Sequence, residues 1–228
     1  MAKISAGSYD LNHWLYGGYE KDIITTIYGA PGTGKTNFVM LAVASQIKKG
    51  NKVIFIDTEG GFSSDRIKQI LGENYKEALK NILILKPTNF KEQKEAFNEL
   101  EKNLDNHVSL IVVDGMTMLY RLDFAEAKQK SKEEIQKVNS ELARQMKLLA
   151  SIARKQNIPV LTTNQMYKWD DENRMVAGDT MQYWSKCIIE LTNEKGRRTA
   201  YLKKHRSLPE KYLTFQIYDK GIRKKGWI

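Results

Sequence analysis

Cysteine is almost missing from this 228-residue chain. There is one, Cys187, so no intrachain disulfide can form and a reducing, cytoplasmic setting is the expectation. Set in the apolar segment CIIEL, its thiol reads as a small buried hydrophobe rather than a reactive group. Proline is scarce too, at four residues, and no Gly/Ser/Pro-rich linker, repeat or low-complexity tract divides the sequence. One unit over residues 1–228 is therefore expected. No run of about 18 apolar residues occurs, which excludes a membrane-spanning helix, and the opening MAKISAGSYD lacks the apolar stretch of a signal peptide. Histidine is limited to positions 13, 107 and 205, and no ligand cluster is visible among them.

What is abundant is positive charge. Lys and Arg number 37 against 27 Asp and Glu, for a net charge of +10. The excess is uneven: residues 186–228 hold twelve Lys and Arg against four Asp and Glu. A one-sided basic balance favours a polyanionic partner, foremost nucleic acid, with a merely soluble surface as the bland alternative.

Short apolar runs alternate with helical patterns. IITTIY (23–28), KVIFID (52–57), ILIL (82–85), SLIVVD (109–114) and IPVLTTN (158–164) read as strands. Helices are expected over about 35–49, from Ser63 to Leu71, over 89–104 behind Asn89 and Glu92, and behind Ser131 and Glu134. In the last of these Val138, Leu142, Met146, Leu149 and Ile152 keep one face apolar. Near-continuous apolar strands alternating with helices predict an α/β fold with a mostly parallel, buried sheet. After Gly178 the pattern changes to CIIEL, RTAYLKK and YLTFQIY, a C-terminal antiparallel extension.

Gly29-Ala30-Pro31-Gly32-Thr33-Gly34-Lys35-Thr36, followed by Asn37, completes a phosphate-loop pattern between a strand and a helix. Glycines let backbone N–H groups close around phosphate oxygens at a helix N-terminus. Lys35 is expected to reach the β/γ-phosphates of ATP, and Thr36 to ligate Mg²⁺. Asp114, at the tip of SLIVVD, is a second magnesium ligand candidate. Glu59, after FIDT, is a candidate to activate the attacking water, although Asp57 and Glu59 also suit loop capping. Gln165, after VLTTN, is positioned to touch a terminal phosphate.

Together these segments resemble the RecA/RadA recombinase family over nearly the whole chain, from Ile4 to about Lys225. The resemblance rests on the segment ending GAPGTGKT, on FIDTEGGFSSDR, DGMTMLYR, TTNQM, HRSLPE and FQIYDKGI. It implies a RecA-type P-loop core in which Lys35, Glu59 and Gln165 are catalytic and Arg66 stacks on adenine. It also implies a first DNA-facing loop ending in Arg121. The core begins within about ten residues of Met1, so the helical DNA-binding domain and polymerisation segment of strand-exchange recombinases are not expected. MYKWDDENRMVAGDT (166–180) lacks the paired glycines of the second DNA loop. The likeness is therefore strongest to the core-only archaeal paralogues. It implies ATP binding, weak DNA-dependent hydrolysis, DNA binding (single-stranded foremost), and assistance to a RadA-type recombinase and a Holliday-junction resolvase. A homodimer or small oligomer fits, and strand exchange does not. A non-catalytic ATP-liganded adaptor and a KaiC-like regulatory ATPase are the alternatives.

Lys203-Lys204-His205-Arg206 stays open between three readings: contact with a neighbour's nucleotide, contact with DNA phosphates alongside Arg197, Arg198, Arg223, Lys224 and Lys225, or a solvated strand. Lys204 and Arg206, two apart on an expected strand, are predicted to share one face. Tyr167 and Trp169 either stack on a base or pack the loop onto the core. Trp227 reads as a tail anchor.

Overall fold

Buried parallel strands need apolar side chains on both faces, and the apolar runs meet that need. The computed structural model describes residues 2–169 and 172–226; the side chains of Lys168, Trp169 and Glu172, and Trp227 entirely, lie outside the described residues. In chain order the elements are β1 (Lys3–Ile4), α1 (Tyr9–Trp14), β2 (Tyr19–Glu20), β3 (Ile24–Gly29), α2 (Lys35–Ile47), β4 (Lys52–Asp57), α3 (Ser64–Leu71), α4 (Tyr75–Leu79), β5 (Ile82–Leu85) and α5 (Phe90–Lys102). There follow β6 (Val108–Asp114), α6 (Met118–Lys130), α7 (Lys132–Gln156), β7 (Val160–Asn164), β8 (Met166–Trp169), β9 (Glu172–Met175), α8 (Gly178–Trp184), β10 (Cys187–Glu194), β11 (Arg197–His205), β12 (Lys211–Tyr218) and β13 (Gly221–Lys224).

Nine strands form one sheet in the order β13-β12-β11-β10-β3-β7-β6-β4-β5. Pairing is parallel from β10 across to β5 and antiparallel from β10 out to β13. The expected architecture, a mostly parallel sheet with an antiparallel C-terminal extension, is what the chain has. Lys195 (φ 49°) and Gly196 (φ 84°) make the two-residue turn between β10 and β11, the left-handed pair that a tight hairpin requires.

Each sheet face carries its own core. Phe38, Leu41, Phe55, Val112, Ile189 and Phe215 pack on the side of α1 and α2. Ile56, Ile111, Phe97, Leu142, Met146 and Leu149 pack under α5, α6 and α7. Cys187 is buried, and burial pushes its thiol up to about 12, as an inert structural residue requires.

Two segments differ from expectation. DGMTMLYR is not a loop through Arg121: a turn ends at Thr117 and α6 starts at Met118. Residues 178–184, unassigned from sequence, form α8.

Candidate nucleotide site

The strand order reverses direction around β3, β6 and β7, and their C-terminal tips meet there, where open α/β sheets bind ligands. The loop from Gly29 to Lys35 folds over the tip of β3. A Cβ on Gly29 would sit 2.3 Å from the Leu191 carbonyl oxygen. Gly34 has φ +108°, and a Cβ there would lie 2.9 Å from Ile217 Cδ1. Both positions therefore exclude a side chain. Thr33 Oγ1 donates to the Ala30 carbonyl at 2.8 Å, while Pro31 and Gly32 form the exposed tip. No side chain caps α2, which leaves its first-turn amides, including that of Asn37, without a capping acceptor.

Lys35 is buried, at 6% exposure. Its Nζ donates to Gly29 O at 2.9 Å, Ala30 O at 3.1 Å and Gln165 Oε1 at 3.3 Å. Desolvation lowers its pKa, against the pull of Glu59 and Asp114. Gln165 Nε2 donates to both Glu59 oxygens, at 3.0 and 3.2 Å. The three residues named as catalytic candidates are thus one hydrogen-bonded chain, drawn from α2, the tip of β7 and the loop after β4.

Thr36 Oγ1 donates to Asp114 Oδ2 at 3.0 Å. Asp114 is 1% exposed, and burial raises its pKa to about 6 against the Thr163 and Thr36 hydrogen bonds. A desolvated carboxylate beside a hydroxyl is a hard-oxygen donor set suited to Mg²⁺. A buried ammonium held by neutral carbonyls, among backbone amides with no side-chain cap, suits a polyphosphate. The residues present fit both groups.

The Rad51 family model matches residues 1–225 of the chain. The chain belongs to the Rad51 family. Within that family it is similar to the DNA repair and recombination protein RadB of Methanobrevibacter smithii: 41% identical over 223 residues, 93% of this chain and 92% of the relative. RadB of Methanocaldococcus jannaschii is 40% identical over 212 residues, 93% of this chain and 98% of its own length. A solved structure described as the crystal structure of the RadB recombinase matches with a TM-score of 0.82 at 35% identity, covering 98% of this chain and 100% of that one. The likeness to the archaeal paralogue expected from the motifs is borne out.

Other positions in this Rad51-family chain have less expected surroundings. Arg66 leaves α3 to donate to the carbonyls of Tyr218 at 3.0 Å and Asp219 at 2.9 Å, tying α3 to the β12–β13 turn. Arg121 is exposed in the first turn of α6; with Tyr120, Phe124, Asn139 and Tyr167 it lines a cavity of about 600 Å³. Tyr167 also packs against the core under α7. The Trp169 backbone pairs with Glu172.

Lys204 and Arg206 do not share a face. A bulge at Ile188/Ile189 shifts the β10–β11 register, and β11 ends at His205. Lys204 Nζ donates to Gln182 O at 2.7 Å. Arg206 instead donates to Glu20 Oε2 at 2.6 Å and Asp22 Oδ1 at 2.7 Å. Lys203 is exposed, 4.0 Å from Glu190. Arg198 is half-buried opposite Phe215, away from the face of exposed Arg197.

Sequence reasoning missed two supporting residues, Thr163 and Thr58. Thr163 Oγ1 donates to Asp114 Oδ1 at 2.6 Å and accepts from Gly115 N at 2.7 Å. Thr58 Oγ1 donates to the carbonyls of Asp114 at 2.9 Å and Gly115 at 2.7 Å. Of the two carboxylates read from the sequence as suiting a loop cap, Asp57 takes that place, accepting from the amides of Gly61 and Phe62 at 2.9 and 3.1 Å, while Glu59 accepts from Gln165.

Proposed function

We propose that this Rad51-family chain is an accessory protein of homologous recombination and DNA repair that binds Mg·ATP, hydrolyses it slowly and binds DNA. Its partners on this reading are a RadA-type recombinase and Holliday-junction processing enzymes. The names of the RadB relatives support the recombination role. The observation that carries the ATPase role is the Lys35–Gln165–Glu59 hydrogen-bond chain beside the Thr36–Asp114 pair.

Lys35, steered by two loop carbonyls, offers its ammonium to the β/γ-phosphates, and the first-turn amides of α2 hold the remaining oxygens. Thr36 and Asp114 would hold magnesium, which when bound would supply positive charge against the phosphates. Thr163 keeps one Asp114 oxygen occupied and turns the other towards Thr36. Glu59 orients the attacking water and accepts its proton. Gln165 donates to Glu59 and accepts from Lys35, so any movement of Lys35 towards phosphate is felt at the base. Arg66, against the β12–β13 turn, borders the loop on the side where Ile217 meets Gly34, a place suited to the nucleotide base. Glu59 is exposed in a single copy, so bulk water competes at the reacting centre and turnover is slow until a neighbour or DNA covers it.

ATP hydrolysis measured with and without DNA at several salt concentrations, with light scattering to report assembly, tests this reading. Lys35→Ala is expected to lose nucleotide binding and turnover. Glu59→Gln is expected to bind ATP but turn over about 10²–10⁴-fold more slowly. Normal hydrolysis by Lys35→Ala would refute the nucleotide assignment. An absence of DNA binding, with or without ATP, would favour the adaptor instead.

A further inference from the structure

The two faces of the sheet are covered unequally. On the side of α2 the core runs from Phe55 through Ile27, Ile189, Leu202 and Phe215 to Ile222 on β13. On the other side, among the described residues, it reaches Ile188 of β10 and includes no later residue. Strand alternation then puts Thr192, Arg197, Tyr201, Tyr212, Thr214 and Arg223 on an open face of β10–β13, with Thr199 buried among them.

At its centre Tyr201 and Tyr212 stand directly opposite one another. Their ring centroids are 6.3 Å apart, and they are 36% and 59% exposed. Beside them Thr199 pairs with Thr214, a low row that leaves the rings accessible. Arg197 and Lys225, with Tyr212 and Thr214, line a concavity of about 380 Å³. Arg197, Tyr201 and Tyr212, with the Glu194 carboxylate at one side, line a neighbouring one of about 290 Å³. Arg223 lies 5.3 Å from the Tyr218 ring centroid. Among the described residues no carboxylate forms an ion pair with Arg197, Arg223 or Lys225. Glu194 is opposite Arg197 in the ladder, at the margin of the patch, and Glu190 is engaged by Lys203 at 4.0 Å. A cross-strand tyrosine pair can serve stability alone, but that reading gives no role to the cations left unpaired around it.

We propose that this open face is a platform for single-stranded nucleic acid, with Tyr201 and Tyr212 stacking on successive bases and Arg197, Arg223 and Lys225 meeting the phosphates. It rests on the DNA-binding reading above and gives that reading a location. Aromatic faces bordered by cations suit unpaired bases, which a duplex does not present. The ring spacing exceeds the roughly 3.4 Å rise of a stacked strand, so it matches an extended one.

Fluorescence anisotropy with labelled oligothymidylate over a salt series tests the proposal, with thermal unfolding to verify folding. The Tyr201→Ala/Tyr212→Ala protein should lose about tenfold or more in affinity per ring, with an unchanged salt slope. Tyr201→Phe/Tyr212→Phe should recover most of it. Arg197→Ala/Lys225→Ala should flatten the log–log salt slope by about 0.7 per residue. If the wild type binds oligothymidylate and all variants bind equally, this surface is not the site, although DNA binding stands. If the wild type binds no oligonucleotide, the DNA-binding reading itself falls. If the tyrosine variant loses self-association while keeping DNA affinity, the face joins copies of the chain, and the proposal is overturned.

Discussion

Lys35 and His205 both carry chemistry that depends on what surrounds them. Among the described residues Lys35 donates to three neutral oxygens and to no carboxylate, so its charge is left for a ligand. His205 is the reverse, an ionisable group consumed by structure. Its side chain is 2% exposed, and its Nδ1 accepts from the amides of Ser207 and Leu208, both at 3.1 Å. Burial lowers its pKa; Glu20 opposes the shift, while Lys3, Lys211 and Arg206 add to it. The folded ring therefore stays neutral at a pH where the unfolded chain takes up a proton. By linkage the stabilisation is present above about pH 6.5 and is lost as pH falls. Urea unfolding at pH 7.5 and 5.5 should show the wild type losing more stability on acidification than His205→Asn, whose side-chain oxygen still accepts. Equal losses would place the titrating group elsewhere. At pH 7.5, His205→Ala should cost about 1–3 kcal/mol, because two amides lose their acceptor.

At the scale of elements, the inner parallel strands were legible because burial on both faces leaves an uninterrupted apolar run: residues 52–57 read directly and 158–164 began two residues early, while the half-buried edge strand 82–85 was legible from its apolar run alone. α7 was legible through its Ser131–Glu134 start and its stripe of Leu142, Met146 and Leu149. α6 was not, since few of its side chains are buried, namely Leu119, Tyr120 and Ala127, and these are too few to set a period. The phosphate loop, Asp114 and Gln165 stood out because each sits at a strand tip. Thr163 did not, because its closeness to Asp114 is a matter of register between β6 and β7, which no local pattern encodes. Ser131 is the residue on which α6 and α7 divide. With φ −159° it ends one helix and begins the other, accepting from Glu134 N at 3.3 Å. Ser131→Ala should lower stability by about 1 kcal/mol, read as an earlier urea midpoint with ATP binding unaffected. An unchanged midpoint would mean that the backbone turn alone separates the helices.

At the scale of the whole molecule, two kinds of anion-seeking surface sit on one sheet, and they differ in how far they are exposed to salt. The nucleotide site lies at the tips of the parallel strands, with Lys35 buried and its neighbours fixed by hydrogen bonds. The basic excess of residues 186–228 lies on the antiparallel end, where Arg197, Lys203, Arg223 and Lys224 are exposed. Exposed charges are screened within a Debye length of about 8–10 Å, whereas buried ones are screened far less. Each DNA phosphate contact also releases counterions, and this contributes about 0.7–0.9 to the log–log slope. Raising salt from about 50 to 200 mM should therefore weaken DNA binding about tenfold or more if three contacts form, and change affinity for a fluorescent ATP analogue by less than about twofold. Parallel salt dependences for both ligands would mean that one basic surface serves nucleotide and DNA alike, which the burial of Lys35 against the exposure of Arg197 and Arg223 argues against.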